Sequence, residues 1–315
     1  MLKKYTQNPT FSTSSALSTP VLFLTFNRPD TTQQVFSEIR QAQPPRLYVA
    51  ADGPRSENPN EAESCDMVRS ITTNVDWDCE VKTLFRDQNL GCRLAVSQAI
   101  SWFFENEPEG IILEDDCLPS QSFFWFCQEL LELFRNDQKV GAICGFYSNE
   151  LDYTPDASYF FSRYLRVWGW AGWRRSFEGY DSNLKNLIEN NNTWQTEMFS
   201  KKDVLLIKYF QQMFDQVANG EIDTWDAQLQ YLLWHKKQKV VVSSKNMIKN
   251  IGWIQGAHAQ NKDHNHELPT SEIEFPLTSP EYVERDVKAD KKIELISYQI
   301  TKLSYLKSRL RKLVP

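Results

Sequence analysis

The chain has 315 residues, enough to bury one large α/β core or two small ones. Hydrophobic residues make up 41% and aromatics 13%, with ten Trp, a composition that excludes general disorder. The net charge of −6 is uneven: residues 288–315 carry eight Lys/Arg against Asp290 and Glu294, so residues 1–287 carry −12, a body that repels nucleic acid and a tail that seeks anions.

Residues 1–19 are rich in Ser and Thr without helical or strand periodicity and are expected to form a loose arm. The fold starts at Pro20. Val21 to Phe26 is an apolar run of strand length, and Asn27-Arg28-Pro29-Asp30 opens a helix that carries Val35, Phe36 and Ile39. The β-turn-α pattern recurs: strand Leu47 to Ala50 before Asp52-Gly53, strand Val81 to Phe85 before a helix from about Arg93 to Phe104, and strand Ile111 to Leu113 before a helix from about Ser122 to Phe134. Such alternation predicts a mostly parallel central sheet flanked by helices. After Gly145 the regularity breaks. Tyr159 to Leu165 and Lys239 to Ser243 read as strands, Asp203 to Val217 and Trp225 to Lys236 as helices, and Trp168 to Trp173 as a glycine-bearing loop that presents aromatics. Leu268 to Pro280, punctuated by Pro, reads as a linker. From Lys291 onward Ile293, Ile296, Ile300, Leu303, Leu306, Leu310 and Leu313 recur at spacings of three and four among Lys and Arg, the pattern of a basic amphipathic helix.

Open parallel sheets bind ligands beyond the carboxyl ends of their strands. Four polar sets fall there: Asn27-Arg28, Asp52-Gly53, Arg86 with Asn89-Gly91-Arg93, and Glu114-Asp115-Asp116. Three successive carboxylates after a buried strand need compensation, which a hard divalent ion supplies. Mn²⁺ or Mg²⁺ takes one or two protein carboxylates and fills its remaining positions with phosphate oxygens and water. Arginines at neighbouring strand ends suit anion recognition. The six cysteines contain no CxxC pair and are read as free thiols that pack as small hydrophobes.

Phe26-Asn27-Arg28, Asp52-Gly53, Gly91-Cys92-Arg93, Ile112-Leu113-Glu114-Asp115-Asp116 followed by Ser122-Phe123-Phe124, Trp225-Asp226 and Gly256-Ala257-His258 occur in this order over about residues 20–260. The ordered set resembles the N-acetylglucosaminyltransferase I-like branch of GT-A glycosyltransferases. It is still more similar to bacterial sugar transferases with a loop like Trp168 to Arg174 and a later strand like Asn246 to Gly252. The resemblance implies a GT-A, Rossmann-like fold over 20–265, with a nucleotide-binding half (20–150) and an acceptor half (151–265). A linker (266–287) and the C-terminal amphipathic helix (288–315) complete the chain. It also implies that Arg28 and Arg93 contact a nucleotide diphosphate, that Asp52 hydrogen-bonds a pyrimidine, and that Glu114 and Asp115 face base and ribose. Asp116 would ligate the metal, with His258 as a late metal or phosphate contact, and Asp226 would be the general base of an inverting transfer. In the animal enzyme a second Asp follows that base, whereas this chain has Ala227, which leaves Asp223 as a reserve.

The activity so implied is metal-dependent transfer of a sugar from a nucleotide-diphosphate donor, UDP-linked by resemblance, to a hydroxyl of a glycan or lipid-linked acceptor. One or two rings of Trp168, Trp170 and Trp173 would line the sugar or acceptor site, and Trp225 would pack beneath Asp226. The alternatives are a non-catalytic glycan- or nucleotide-sugar-binding protein on a degenerate transferase scaffold, a metal-dependent hydrolase, and a nucleotidyltransferase, which would ordinarily carry a Gly-rich phosphate loop where this chain has Asn27-Arg28-Pro29-Asp30. No stretch reaches the roughly 20 apolar residues of a membrane span, and no signal-peptide pattern opens the chain. The expected location is cytoplasmic, with residues 288–315 able to hold the protein on the anionic inner face of the plasma membrane or to dock on the acidic body.

Overall fold

The computed structural model describes residues 16–58, 60–148, 153–185, 194–252 and 268–298. Strands β1 (Val21–Thr25), β2 (Arg46–Ala51), β3 (Glu80–Phe85) and β4 (Glu109–Glu114) pair in parallel in the order β3-β2-β1-β4. The sheet continues through β8 (Trp170–Trp173), β6 (Val140–Cys144), β9 (Lys239–Ser243) and β7 (Tyr159–Ser162), giving eight strands of which only β8 and β7 run against the rest. A hairpin-like pair of β5 (Cys117–Pro119) and β10 (Ile248–Asn250) stands apart. This is an α/β, Rossmann-like fold with a mostly parallel central sheet flanked by helices. Because β8, from the second half of the chain, lies between β4 and β6, both halves share one sheet.

Strand side chains alternate between faces, so β1 feeds two cores. Leu22 and Leu24 pack with Ala99, Ile100 and Phe103 of α3 (Gly91–Asn106) and with the aromatic layer of α7 (Val204–Ala218) and α8 (Asp226–His235). Val21 and Phe23 pack with Val35, Phe36 and Ile39 of α1 (Pro29–Ala42) and with α4 (Ser122–Phe134). The remaining helices are α2 (Glu61–Thr73), the short α5 (Arg174–Phe177) and α6 (Trp194–Met198), and α9 (Val287–Ile296).

Several expectations are corrected. Trp170 to Trp173 is not a loop but a wholly buried central strand. Trp170 and Trp173 are core residues, and Trp168 packs edge-on against Phe146, so Trp170 and Trp173 present no open aromatic face to a sugar. Strand β7 ends at Ser162, short of Leu165. Residues 16–19 are tied down rather than loose: Leu17 is buried, and the amides and hydroxyls of Ser18 and Thr19 donate to Gln128 Oε1. Residues 268–286 carry no helix but are strapped to the body, with Ile273, Leu277 and Val283 buried and the Ile273 amide donating to Ser122 Oγ at 3.0 Å. Among the cysteines, Cys92 is exposed, unlike the buried Cys65, Cys117, Cys127 and Cys144.

The C-terminal helix packs on the body over its described length. Asp286 caps it through the amides of Lys288 and Ala289, and Ala289, Asp290 and Ile293 are buried. The remainder of the amphipathic pattern lies outside the described residues. Among the described residues no helix is long and apolar enough to cross a membrane.

Candidate active site at the carboxyl edge of the sheet

The register aligns the ends of the parallel strands: Leu24 pairs with both Ala50 and Glu114, and Ala51 pairs with Phe85. Residues that follow these positions therefore emerge at one edge. Pro29 at the start of α1 fixes the turn after β1 and leaves Arg28 as the residue before the helix. Its guanidinium bridges two members of the acidic triplet, donating from Nη2 to Asp115 and from Nη1 to Asp116 Oδ2 at 3.0 Å. Burial opposes the charge on Arg28, but Asp115 and Asp116 outweigh it and hold the pKa above its ordinary value.

The three carboxylates have different surroundings. Asp115 is buried and accepts the Phe26 amide at 3.2 Å as well as Arg28, so it staples the end of β1 to the end of β4 rather than facing a ligand. Burial pushes it up to about 6, against the pull of Arg28. Glu114 is half-buried, and burial followed by repulsion from Asp116, Asp115 and Asp226 pushes it up to about 8. Asp116 is half-buried beside Arg28, and its carbonyl accepts the Ile251 amide at 2.8 Å. Gly252 follows so closely that a Cβ there would lie 2.4 Å from both Asp116 Oδ2 and Arg28 Nη1.

Asp52 has a part that sequence reasoning did not foresee. Its carboxylate accepts the amides of Gly53, Leu90 and Gly91 at 2.9 to 3.2 Å and the Asn89 side-chain amide at 3.0 Å. It thus clamps the turn into α3, where Gly91 has φ +79°, and few of its lone pairs remain for a base. Burial raises its pKa while those amides oppose the rise. Asn27 likewise turns inward, donating to Glu61 at 2.7 Å. A small cavity of about 30 Å³ opens between β1, β2 and α3, with Thr25, Asp52 and Arg86 on its wall.

The opposite wall comes from the segment before α8. Arg93, in the first turn of α3, stands 3.3 Å from Asp223, and its buried Nε has no hydrogen-bond partner. Asp226 opens α8 and accepts the Ala227 amide at 2.9 Å and the Thr224 hydroxyl. Trp225 is buried and stacks on Trp170 with ring centroids 6.1 Å apart, and Tyr180 donates to its carbonyl at 2.8 Å. Cys92, although exposed at its surface, lies among these groups: the protein packed around the thiol, then Glu114, Asp223, Asp226 and Asp116, raises its pKa.

Arg28, Arg93, Glu114, Asp115, Asp116 and Asp226 thus gather at the carboxyl edge of the sheet, with Asp52 on the wall of the small cavity there, whereas His258 lies outside the described residues. Sequence reasoning named Cys92 and Gly252 only within longer motifs and gave neither a role, and it left Asp223 in reserve. Among the described residues no three His, Cys, Asp or Glu side chains are arranged to hold a metal alone. A hard divalent ion that takes one or two carboxylates and completes its shell with phosphate and water fits the chemistry of Asp116 and Glu114, which repel one another at the end of β4 and are offset in part by Arg28.

No protein-family model and no curated protein matches the chain. Similar solved structures include the mannosyltransferase PcManGT from Pyrobaculum calidifontis in complex with GDP-Man and Mn²⁺, at 12% identity and a TM-score of 0.35, covering 57% of this chain. The chain spans about half of that protein, 51%. HddC from Yersinia pseudotuberculosis matches at 9% identity and a TM-score of 0.34, over 51% of this chain and 80% of its own. A UDP-glucose pyrophosphorylase complexed with UDP-glucose matches at 9% identity and a TM-score of 0.40, over 77% of this chain and 96% of its own. Likeness of this degree decides neither donor nor reaction, which rest on the site itself.

Proposed function

We propose that the chain is a GT-A-type glycosyltransferase that moves a sugar from a nucleoside-diphosphate donor, UDP-linked by resemblance, to a hydroxyl of a glycan or lipid-linked acceptor. The observation that carries this reading is the gathering of acidic and basic groups at one edge of the sheet. Arg28 pairs with Asp115 and Asp116 at the end of β4, and Arg93 pairs with Asp223, three residues before Asp226.

Departure of a nucleoside diphosphate builds negative charge on the β-phosphate while the anomeric carbon becomes cationic. Asp116 and Glu114 would hold Mn²⁺ or Mg²⁺, which neutralises the diphosphate when bound. Arg28 and Arg93 would meet the phosphate oxygens with charged N–H donors. Asp226 would accept the proton of the acceptor hydroxyl as that oxygen attacks from the face opposite the leaving group, which inverts the anomeric centre. The two hydrogen bonds that its Oδ1 accepts, from the Thr224 hydroxyl and the Ala227 amide, hold the carboxylate in place. The basic residues past 298 would keep the enzyme near an anionic membrane that carries its acceptor. Asn27-Arg28-Pro29-Asp30, in place of a Gly-rich phosphate loop, favours sugar transfer over nucleotidyl transfer.

The test is calorimetric titration of UDP, then GDP, into wild type and Asp116→Ala, each with Mn²⁺ and with chelator. UDP binding that requires metal and weakens at least tenfold in the variant is expected, as for loss of a charged contact worth about 1.4 kcal/mol or more. No nucleotide binding under any condition would overturn the reading. Retention of the donor's anomeric configuration in the product would remove Asp226 from its role as base.

A further inference from the structure

At the amino edge of the sheet, opposite the acidic cleft, Glu109 of β4 pairs in register with Trp173 of β8. There an open cavity of about 300 Å³ lies between Pro108-Glu109, Arg135 and the turn Arg174 to Glu178. We propose that this cavity is a binding site for a phosphate-type oxyanion, separate from the cleft at the carboxyl edge.

Three observations point to it. First, carbonyls rather than carboxylates hold two of the three arginines on the wall. Arg135 forms a bidentate pair with Glu109 at 2.8 and 3.0 Å, whereas Arg175 feels Glu109 and Asp137 through space and spends its hydrogen bonds elsewhere, as does Arg174. Arg174 donates instead to the carbonyls of Phe104 and Glu105, at the end of α3. Arg175 donates to the carbonyls of Phe134, Asp137 and Val140, just past α4. These contacts cap helix ends, and a carbonyl accepts a hydrogen bond without cancelling a charge. Second, Arg175 and Trp173, both on the cavity's wall, lie against each other with the guanidinium carbon 4.1 Å from the ring centroid, and Arg175 Nε and Trp173 Nε1 behind that contact have no hydrogen-bond partner. Third, nearby cations are held under strain by burial. Lys236, which donates to the carbonyls of Arg175 and Glu178, and Arg175 both have pKa values below their ordinary ones for that reason. A carboxylate ligand would satisfy fewer of these scattered donors than the three or four oxygens of a phosphate group, and 300 Å³ leaves room for a diphosphate.

The probe is inorganic pyrophosphate titrated calorimetrically into metal-free protein. Three proteins are compared: wild type, Arg174→Gln and Glu178→Gln. Wild type is expected to bind, Arg174→Gln to bind about tenfold more weakly, and Glu178→Gln, which removes an exposed negative charge from the rim, to bind several-fold more tightly. Pyrophosphate held instead at the carboxyl edge, beside Arg28 and Arg93, would respond to neither substitution. Thermal melts show whether Arg174→Gln has lost its cap on α3. If it has, Glu178→Gln decides, because Glu178 joins the fold through its backbone amide and carbonyl. Absence of binding, or equal binding in the Arg174 and Glu178 variants, would overturn the proposal.

Discussion

Glu129 shows what a single side chain does to the energetics of this fold. It sits on α4, buried between that helix and the sheet; its Oε2 has no hydrogen-bond partner, and burial pushes it up to about 7 from an ordinary 4.5. Above pH 7 the carboxylate is charged in both states, and the folded protein bears the cost of desolvating it. Below about pH 4.5 it is protonated in both states and the cost vanishes. Wild-type stability should therefore lose roughly 3 kcal/mol through this group as pH rises from 4.5 through 7. Glu129→Gln should be more stable than wild type by that amount at pH 8 and equal to it at pH 4. Urea unfolding midpoints at the two pH values give the comparison, and a difference independent of pH would show that Glu129 does not titrate in the fold. The same distinction between residue type and surroundings governs the candidate site. The sequence shows that Asp52 and Asp115 stand at strand ends, but not that their carboxylates turn inward to amides and to Arg28. That direction depends on backbone turns contributed by residues far away in the chain.

At the scale of elements, the strands easiest to read were those buried on both faces. β1, β2 and β4 are continuous apolar runs, whereas β8 is preceded by Gly169 and contains Gly172 and so reads as a loop. Its glycine has a packing cause: a Cβ on Gly172 would lie 3.0 Å from the ring of Trp170. α2 was also missed, because only Cys65 and Val68 among its apolar residues are buried and its periodicity is weak. β10 was legible as a strand but not as a wall of the site. It pairs Asn250 with Cys117 and delivers Gly252 against the Asp116–Arg28 pair. In Gly252→Ala the new methyl must push the Asp116 side chain, whose Cβ would be 2.6 Å away, out of its place. Such overpacking costs about 1–3 kcal/mol of stability. The expected signature is Mn²⁺-dependent UDP affinity reduced by about tenfold or more in a protein that still folds. Wild-type affinity in that variant would mean that the donor does not bind beside Asp116.

For the whole molecule, the open question is what the C-terminal region does, and the answer divides at Tyr298. Arg163, 2% exposed, lies with its guanidinium 3.9 Å above the Phe199 ring and pairs with Glu294, with Asp290 and Asp203 at 3.9 and 3.8 Å. Two of those three carboxylates belong to α9, so the helix is a structural strap that neutralises a buried cation. A chain ending at residue 287 would leave Arg163 short of its partners inside the protein, and removing one side of a buried ion pair costs about 3–5 kcal/mol. It should unfold at markedly lower urea than the full chain, and for that reason it cannot report on membranes. A chain ending at Tyr298 keeps the strap while losing Lys302, Lys307, Arg309, Arg311 and Lys312. Its urea midpoint should match that of the full chain. Its sedimentation with vesicles of mixed phosphatidylserine and phosphatidylcholine should fall to that seen with phosphatidylcholine alone, since each basic residue near an anionic surface contributes about 1 kcal/mol. Undiminished sedimentation would move the lipid contact to the body of the protein, whose first 287 residues carry −12, a charge that opposes such binding.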